Sequence, residues 1–372
     1  MISMEINGKK FIGFKDCSID IDIETACRTF DFTATSDGKL KIPCKRGDRV
    51  VIYIDQEPKI TGYVEKISPK FSDSSHDISI SGRSITCDVI DSTVSGNITI
   101  APPMSIKTIF KKTLQELNLS SIDVLVSGGV RSFTEADFGL ATSEYGYSES
   151  VGAPVGENAF TFLEKYCRKR QVFFTTNGQG NIELIRAGSE ILPIVLMHRI
   201  GNPNNNIKTA DADFDNSQRF WKYIVRSQNN ASMDFDSEGF ESQVGYAYDN
   251  EIRKSRILEV QAEVCSDGQT ATERAIWEAN IRRARSFGYS CTVTKHYINK
   301  EESKTWDINK LVHVVDEYND IDSLLLIKSV KFRYSESEGD MTDLTLIYKD
   351  ALTLKASQDE RDTKLEKVGS EI

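Results

Sequence analysis

Three stretches of the chain place residue types at spacings that chemistry could use. Asp211, Asp213 and Asp215 alternate with Ala212 and Phe214, and carboxylates alternating at the start of a loop suit a hard cation. The loop then fails, because Asn216 stands where the sharp turn needs glycine and Lys222 where a bidentate Glu belongs. A solvated strand face is the expectation there. Asp20, Asp22 and Glu24 form a similar row and read as the outside of a strand. Gly178-Gln179-Gly180 has the glycines of a phosphate cradle, but it falls between strands and lacks the helix N-terminus such a site uses. It is expected to be a hairpin turn. His76, His198, His296 and His313 are scattered, and there is no P-loop, G-x-S-x-G or H-E-x-x-H. No catalytic, cofactor-binding or metal-binding residue is assigned, and no enzymatic activity is expected.

The elements around these residues are mostly strands. Cys17, Ile19, Ile21 and Ile23 alternate with polar residues, and Phe30, Phe32 and Ala34 continue after a turn. Runs at 50–54, 60–67 and 77–81 then read as a meander. Late in the chain, 311–315, 324–334 and 342–348 repeat that order, the last two forming a long hairpin around the acidic tip 335–340. The agreement in order and spacing predicts two copies of one β-domain. Before the second copy, Trp277, Ile281 and Ala284 recur at helical spacing, with Glu278 and Arg282 as an i,i+4 pair on another face. Thr270 and Glu273 have capping-box spacing, Gly288 is placed to stop the helix in a left-handed cap, and Trp277 is expected in the core.

Between the copies the periodicity changes. Ile106, Ile109, Phe110, Leu114 and Leu117 form one helical stripe and Phe160, Leu163, Tyr166 and Cys167 another, followed by a hairpin over 172–185. The expected class is α+β, mainly β: two duplicated β-domains with an inserted α+β domain. The first β-domain spans 1–101 and is completed by returning strands in 205–230. The insert spans 102–204, a connector 231–256, the second β-domain 257–350 with its helix over 270–287, and a charged tail 351–372.

Composition narrows the function. A net charge of −10 argues against a chain built to grip nucleic acid, whose affinity comes largely from Lys and Arg on phosphates. Seven cysteines (17, 27, 44, 87, 167, 265 and 291) form an odd set with no C-x-x-C pair, which predicts reduced thiols and cytoplasmic synthesis. The opening 1–5 has neither basic region nor apolar core, so no secretory signal is expected.

In order and spacing, four groups of framework motifs resemble the Mu-type baseplate hub of contractile phage tails, a family related to the hub portion of type VI secretion spikes. They are Phe11-Ile12-Gly13-Phe14 with Phe30-Asp31-Phe32; Thr61-Gly62-Tyr63-Val64 with Ile80-Ser81-Gly82-Arg83-Ser84; the stretch 159–188; and Ala271-Thr272-Glu273-Arg274-Ala275-Ile276-Trp277-Glu278-Ala279 with Asn309-Lys310-Leu311-Val312. The resemblance implies that both β-domains are tube-like barrel or sandwich units. It implies a homotrimer whose six such units join a sixfold tail tube to a trimeric central spike, beside other baseplate proteins. DNA would be passing cargo only, with no small-molecule substrate and no cofactor. The site of action would be the virion, after assembly in the host bacterial cytoplasm. A negative inner channel is one expectation for the Asp20, Asp22 and Glu24 row, and an outer surface is the other. Two different classes compete with the hub: a tail-associated cell-wall hydrolase, which a peptidoglycan zymogram would reveal, and a carbohydrate-binding adhesin, which would sit at the particle's periphery.

Overall fold

The computed structural model describes residues 1–35, 44–72, 76–127, 130–134, 151–227, 243–261, 268–299 and 304–349. The tail expected over 351–372 lies outside them, as does Cys265. The chain is mostly β, and one 13-stranded sheet dominates it.

That sheet contains the same strand order twice. In the first half, Asp16–Asp22, Thr29–Thr35, His76–Ser84, Glu57–Phe71, Arg49–Ile54 and Ile2–Ile6 lie side by side in that order. In the second, Ile207–Phe214, Phe287–Thr294, Gly339–Tyr348, Ile321–Ser335, Leu311–Asp316 and Ile191–His198 do the same. The ladders agree residue by residue. Ile19, Phe30, Gly82 and Val64 form one rung, and Ala212, Tyr289, Leu346 and Ile327 the matching one. Each long strand slips register straight after that rung, leaving Glu65 and Lys328 unopposed. A β-bulge of this kind bends a strand and increases its twist. One difference stands out: Ile2–Ile6 runs antiparallel to its neighbour, whereas Ile191–His198 runs parallel to Leu311–Asp316.

The halves share one core. Ile19, Ile21 and Phe30 from the first pack in the same cluster as Val330, Phe332 and Leu344 from the second. The insert has a second core, built from Ile109, Phe110 and Leu114 of helix Ile106–Glu116 and Phe162, Leu163 and Tyr166 of helix Ala159–Arg170. Both helices start where a short polar side chain takes a backbone N–H of the first turn: Ser105 accepts from Thr108 and Asn158 from Thr161, each at 3.1 Å.

Several expectations need correction. The strand Ile207–Phe214 does not return to the first half; it pairs with Phe287–Thr294 of the second. Alternation shows that a strand has a solvated face but carries no information about its neighbour. Lys222–Ser227 also leaves the main sheet, joining Gln243–Tyr248 and Ile257–Gln261 in a small sheet against helix Gly268–Arg285. Residues 243–248, read as connector, are thus a strand. A Cβ on Gly245 would lie 2.1 Å from the Ala271 backbone, so glycine permits this close strand-to-helix contact. Val89, Val94, Ile98 and Ile100, expected with the first β-domain, belong to the core of the insert. The late helix starts at Gly268, which places Thr270 inside its first turn and not ahead of it. Gly288 lies within a strand and has no left-handed backbone. The helix ends instead where the Ser286 hydroxyl donates to the Arg283 carbonyl at 2.7 Å.

Candidate functional site

The acidic rows and the Gly178-Gln179-Gly180 turn singled out in the sequence lie on three surfaces: the seam between the two sheet halves, the contact between insert and sheet, and an exposed sheet edge. At the seam, the part of Ile321–Ser335 beyond its bulge pairs antiparallel with Asp16–Asp22, from Ser329 opposite Asp22 to Ser335 opposite Asp16. Period-two alternation divides this ladder into two faces. Ile19, Ile21, Val330 and Phe332 point into the core and are completely or almost completely buried. Ser18 and Asp20 face Arg333 and Lys331 on the other side.

The acidic row therefore does not form a bare negative strip. Asp20 lies 3.0 Å from Lys331, and Glu24 lies 2.9 Å from Lys328 and 3.2 Å from Arg285 of the late helix. Lys328, the bulge residue, also stands 4.0 Å from Asp22. Burial pushes the Asp22 carboxyl up. Burial works the same way at Glu24, but Lys328 and Arg285 outweigh it and hold that carboxyl below its ordinary value. The charge of Asp20 and Glu24 is answered across the seam, so this row does not by itself supply an unpaired negative surface.

The N-terminal edge strengthens the same junction. Tyr297 from the second half donates its hydroxyl to Asp55 in the first, and the Thr305 hydroxyl donates to Glu57 at 2.6 Å. Glu57 also takes Lys59 Nζ at 2.6 Å, and the buried Lys59 ammonium lies 5.6 Å from the centre of the Phe332 ring. His296 is fully buried near this junction, with Nδ1 3.2 Å from the Thr342 hydroxyl and Nε2 3.2 Å from Asp340. Desolvation pushes its pKa down to about 4, against the opposing effect of Asp340. His198 and His313 sit beside Asp316 and Asp322, at 3.4 and 2.8 Å. Burial would raise the Asp316 carboxyl, but hydrogen bonds from Tyr289, Asn319 and the Tyr318 backbone hold it below the ordinary range.

The Gly178-Gln179-Gly180 turn docks the insert. Its hairpin joins Phe173–Thr176 to Ile182–Ile185, and Gly178 presses on the first half so closely that a Cβ would lie 1.8 Å from the Pro58 carbonyl oxygen. Thr61 donates to the Gly178 carbonyl at 2.9 Å. The buried Arg28 guanidinium donates to Thr176 and Lys59 carbonyls, each at 2.9 Å, and so joins sheet and insert. The expected hairpin turn is observed, with a contact role that sequence spacing did not reveal. Trp277 is buried as expected and packs on Phe173 of the insert, ring centres 5.1 Å apart.

Asp211 and Asp213 stand exposed on Ile207–Phe214, an edge strand of the main sheet. Asp215, just past its end, binds the Ser217 backbone N–H and hydroxyl, each at 2.7 Å. Among the described residues there is no cluster of three or more acidic, His or Cys groups arranged to hold a metal. What the surfaces offer is strand pairing and charge complementarity.

The duplicated sheet with its inserted α+β unit is a fold this chain shares with phage tail proteins of known structure. Residues 1–84, ending with the last strand of the first half, match the family described as Mu phage baseplate assembly protein GpP-like, N-terminal. The chain is 21% identical to baseplate hub protein gp44 of Escherichia phage Mu over 374 residues, covering 98% of this chain and 92% of that protein. Among solved structures it resembles the 43 kDa tail protein of prophage MuSo2 from Shewanella oneidensis, with TM-score 0.77, 24% identity, and coverage of 94% of this chain and 98% of that one. A tail protein from Neisseria meningitidis MC58 superposes with TM-score 0.77 at 19% identity, covering 95% and 98%. The likeness to the Mu baseplate hub protein extends over nearly the whole of this chain.

Proposed function

We propose that this chain is the structural hub of a contractile-tail baseplate, acting as a homotrimeric adaptor between a sixfold tail tube and a trimeric central spike. The observation that carries the proposal is the repeated strand order within one sheet. Three copies of a chain that contains two like modules present six on one face, to match a tube. The inserts and the small sheet on helix Gly268–Arg285 differ between the halves, so the same assembly is threefold elsewhere, to match a spike. The chemistry is protein–protein contact, with no bond made or broken, and DNA is only passing cargo. The setting is the virion, with assembly in the host cytoplasm. Kinship with the Mu hub protein and the tail-protein fold support this reading. Sedimentation of the purified chain tests it: the mass of three chains is expected, and a monomer at high concentration would remove the basis for six modules.

A further inference from the structure

The chain contains two Asn-Gly steps, Asn7-Gly8 and Asn177-Gly178, and the fold treats them in opposite ways. At such a step a backbone attacks itself most readily, because glycine has no Cβ to hinder its nitrogen from approaching the preceding side-chain amide. Both steps lie in hairpin turns. The first joins Ile2–Ile6 to Lys9–Phe11, with Ile6 opposite Lys9 and φ of 50° at Asn7 and 75° at Gly8. Positive φ at both positions is what a two-residue Asn-Gly loop provides. The second joins Phe173–Thr176 to Ile182–Ile185.

Asn177 is held firmly. Its Oδ1 accepts the Gln179 and Asn181 backbone N–H groups at 3.1 and 3.0 Å, and its Nδ2 donates to Glu183 at 3.1 Å. Gly178 is buried against Pro58, and Thr61 donates to its carbonyl. Ring closure there requires the insert to leave the sheet. At Asn7 the surroundings are open. Asn7 and Gly8 are both exposed, and a Cβ on Gly8 would meet no atom within 4 Å. Lys9–Phe11 ends the main sheet, pairs with Ile2–Ile6 at three positions, and has Lys9 and Lys10 exposed. A terminal strand this short opens locally with little loss of free energy. Opening gives the Gly8 nitrogen the rotation it needs.

We propose that Asn7 is a self-modification site, where the chain converts its own amide to a carboxylate with water as the co-reactant. The Gly8 nitrogen bonds to the Asn7 Cγ, the Cγ–Nδ2 bond breaks, and ammonia leaves with the proton of the Gly8 amide. Water then opens the succinimide ring. Attack at Cγ gives aspartate with the backbone unchanged; attack at the backbone carbonyl gives isoaspartate, in which the chain runs through the side chain. Nothing is oxidised or reduced. The consequence is set by Asp48, whose Oδ2 accepts Asn7 Nδ2 at 2.9 Å and the Lys45 backbone N–H at 2.8 Å. Conversion removes a donor and sets a second carboxylate against the first, and like charges this close oppose each other. Isoaspartate also lengthens a turn whose length fixes the hairpin register. Lys9–Phe11 and the 45–48 turn thereby lose their tie.

Peptide mapping by mass spectrometry tests this on the full chain, kept folded in mildly alkaline buffer or unfolded in urea. In the folded chain Asn7 should convert on the order of tenfold faster than Asn177, and urea should bring the two rates together. Isoaspartate should appear beside aspartate at position 7, and a chain carrying Asn7→Gln should stay unmodified there. The consequence is read on Asn7→Asp, which should exchange backbone hydrogens faster over 9–11 and 45–48 and at an unchanged rate in the late hairpin, 321–348. Equal conversion of Asn7 and Asn177 in the folded chain overturns the site, as does an Asn7 that converts in urea but stays intact when folded. Unchanged exchange over both segments in Asn7→Asp overturns the link through Asp48.

Discussion

The two sheet halves share a strand order and a bulge, yet their second strands meet opposite conditions. In the first half a short turn, residues 23–28, leads from second strand to third. In the second half residues 215–286 intervene, carrying a small sheet and an 18-residue helix. The Asp16–Asp22 strand is sealed by its neighbour, with Ile19 and Ile21 buried. The matching Ile207–Phe214 strand has Ala212 only half-buried and Phe214 exposed. One topology thus serves once as the interior of a chain and once as its boundary. Position in the ladder, more than residue type, sets what an alternating Asp row does.

The largest expected effect contrasts the two aromatic positions. Phe332→Ala at the sealed seam should cost about 3–5 kcal/mol in urea unfolding, while Phe214→Ala should cost well under half of that in the free chain. Equal losses would show that the edge is as tightly packed as the seam. Trp277→Ala comes next, at about 3 kcal/mol, because its ring meets Phe173 across the contact with the insert. A loss confined to protease resistance of the insert, with unfolding unchanged, would place the ring outside the shared fold.

His296 gives the next effect, through pH. Its pKa in the folded chain is about 4 against an ordinary 6.5, so as pH falls the unfolded chain takes up the proton first. Stability from this group is complete above pH 6.5 and is lost progressively towards pH 4, by on the order of 3 kcal/mol. His296→Gln should flatten that part of the curve; an unchanged slope would assign it to the carboxylates. The smallest contrast is electrostatic. Lys331→Met removes the partner of Asp20 and should cost about 0.2–1 kcal/mol. Lys66→Met, at an exposed position of Glu57–Phe71, should have an effect near zero, and a loss as large as that of Lys331→Met would show that cross-strand charge pairing does not set the difference.

Much of this fold is legible in the sequence because it is local. The alternation of Cys17, Ile19, Ile21 and Ile23, the long hairpin around its acidic tip, and the stripes of both insert helices follow from periods of 2 and 3.6 residues. Long-range pairing has no such signature, which is why Ile207–Phe214 was expected beside the first half. Ile191–His198 is missed for another reason: Pro193 interrupts an otherwise apolar run and reads against a strand. The surfaces were the least legible. Nothing about Asp20 or Asp22 in isolation indicates that Lys328 and Lys331, some three hundred residues later, answer their charge.

The seam also fixes how the molecule carries load. Residues 329–335 and 16–22 are joined by a ladder of paired positions running antiparallel. A force along the strands is shared by the ladder's hydrogen bonds at once, whereas a force that lifts one strand away opens them in succession. The joint is therefore stiff in shear and weak in peel. The bulge at Lys328 stands at its end, so the long strand can take up twist there without uncoupling the two plates it joins.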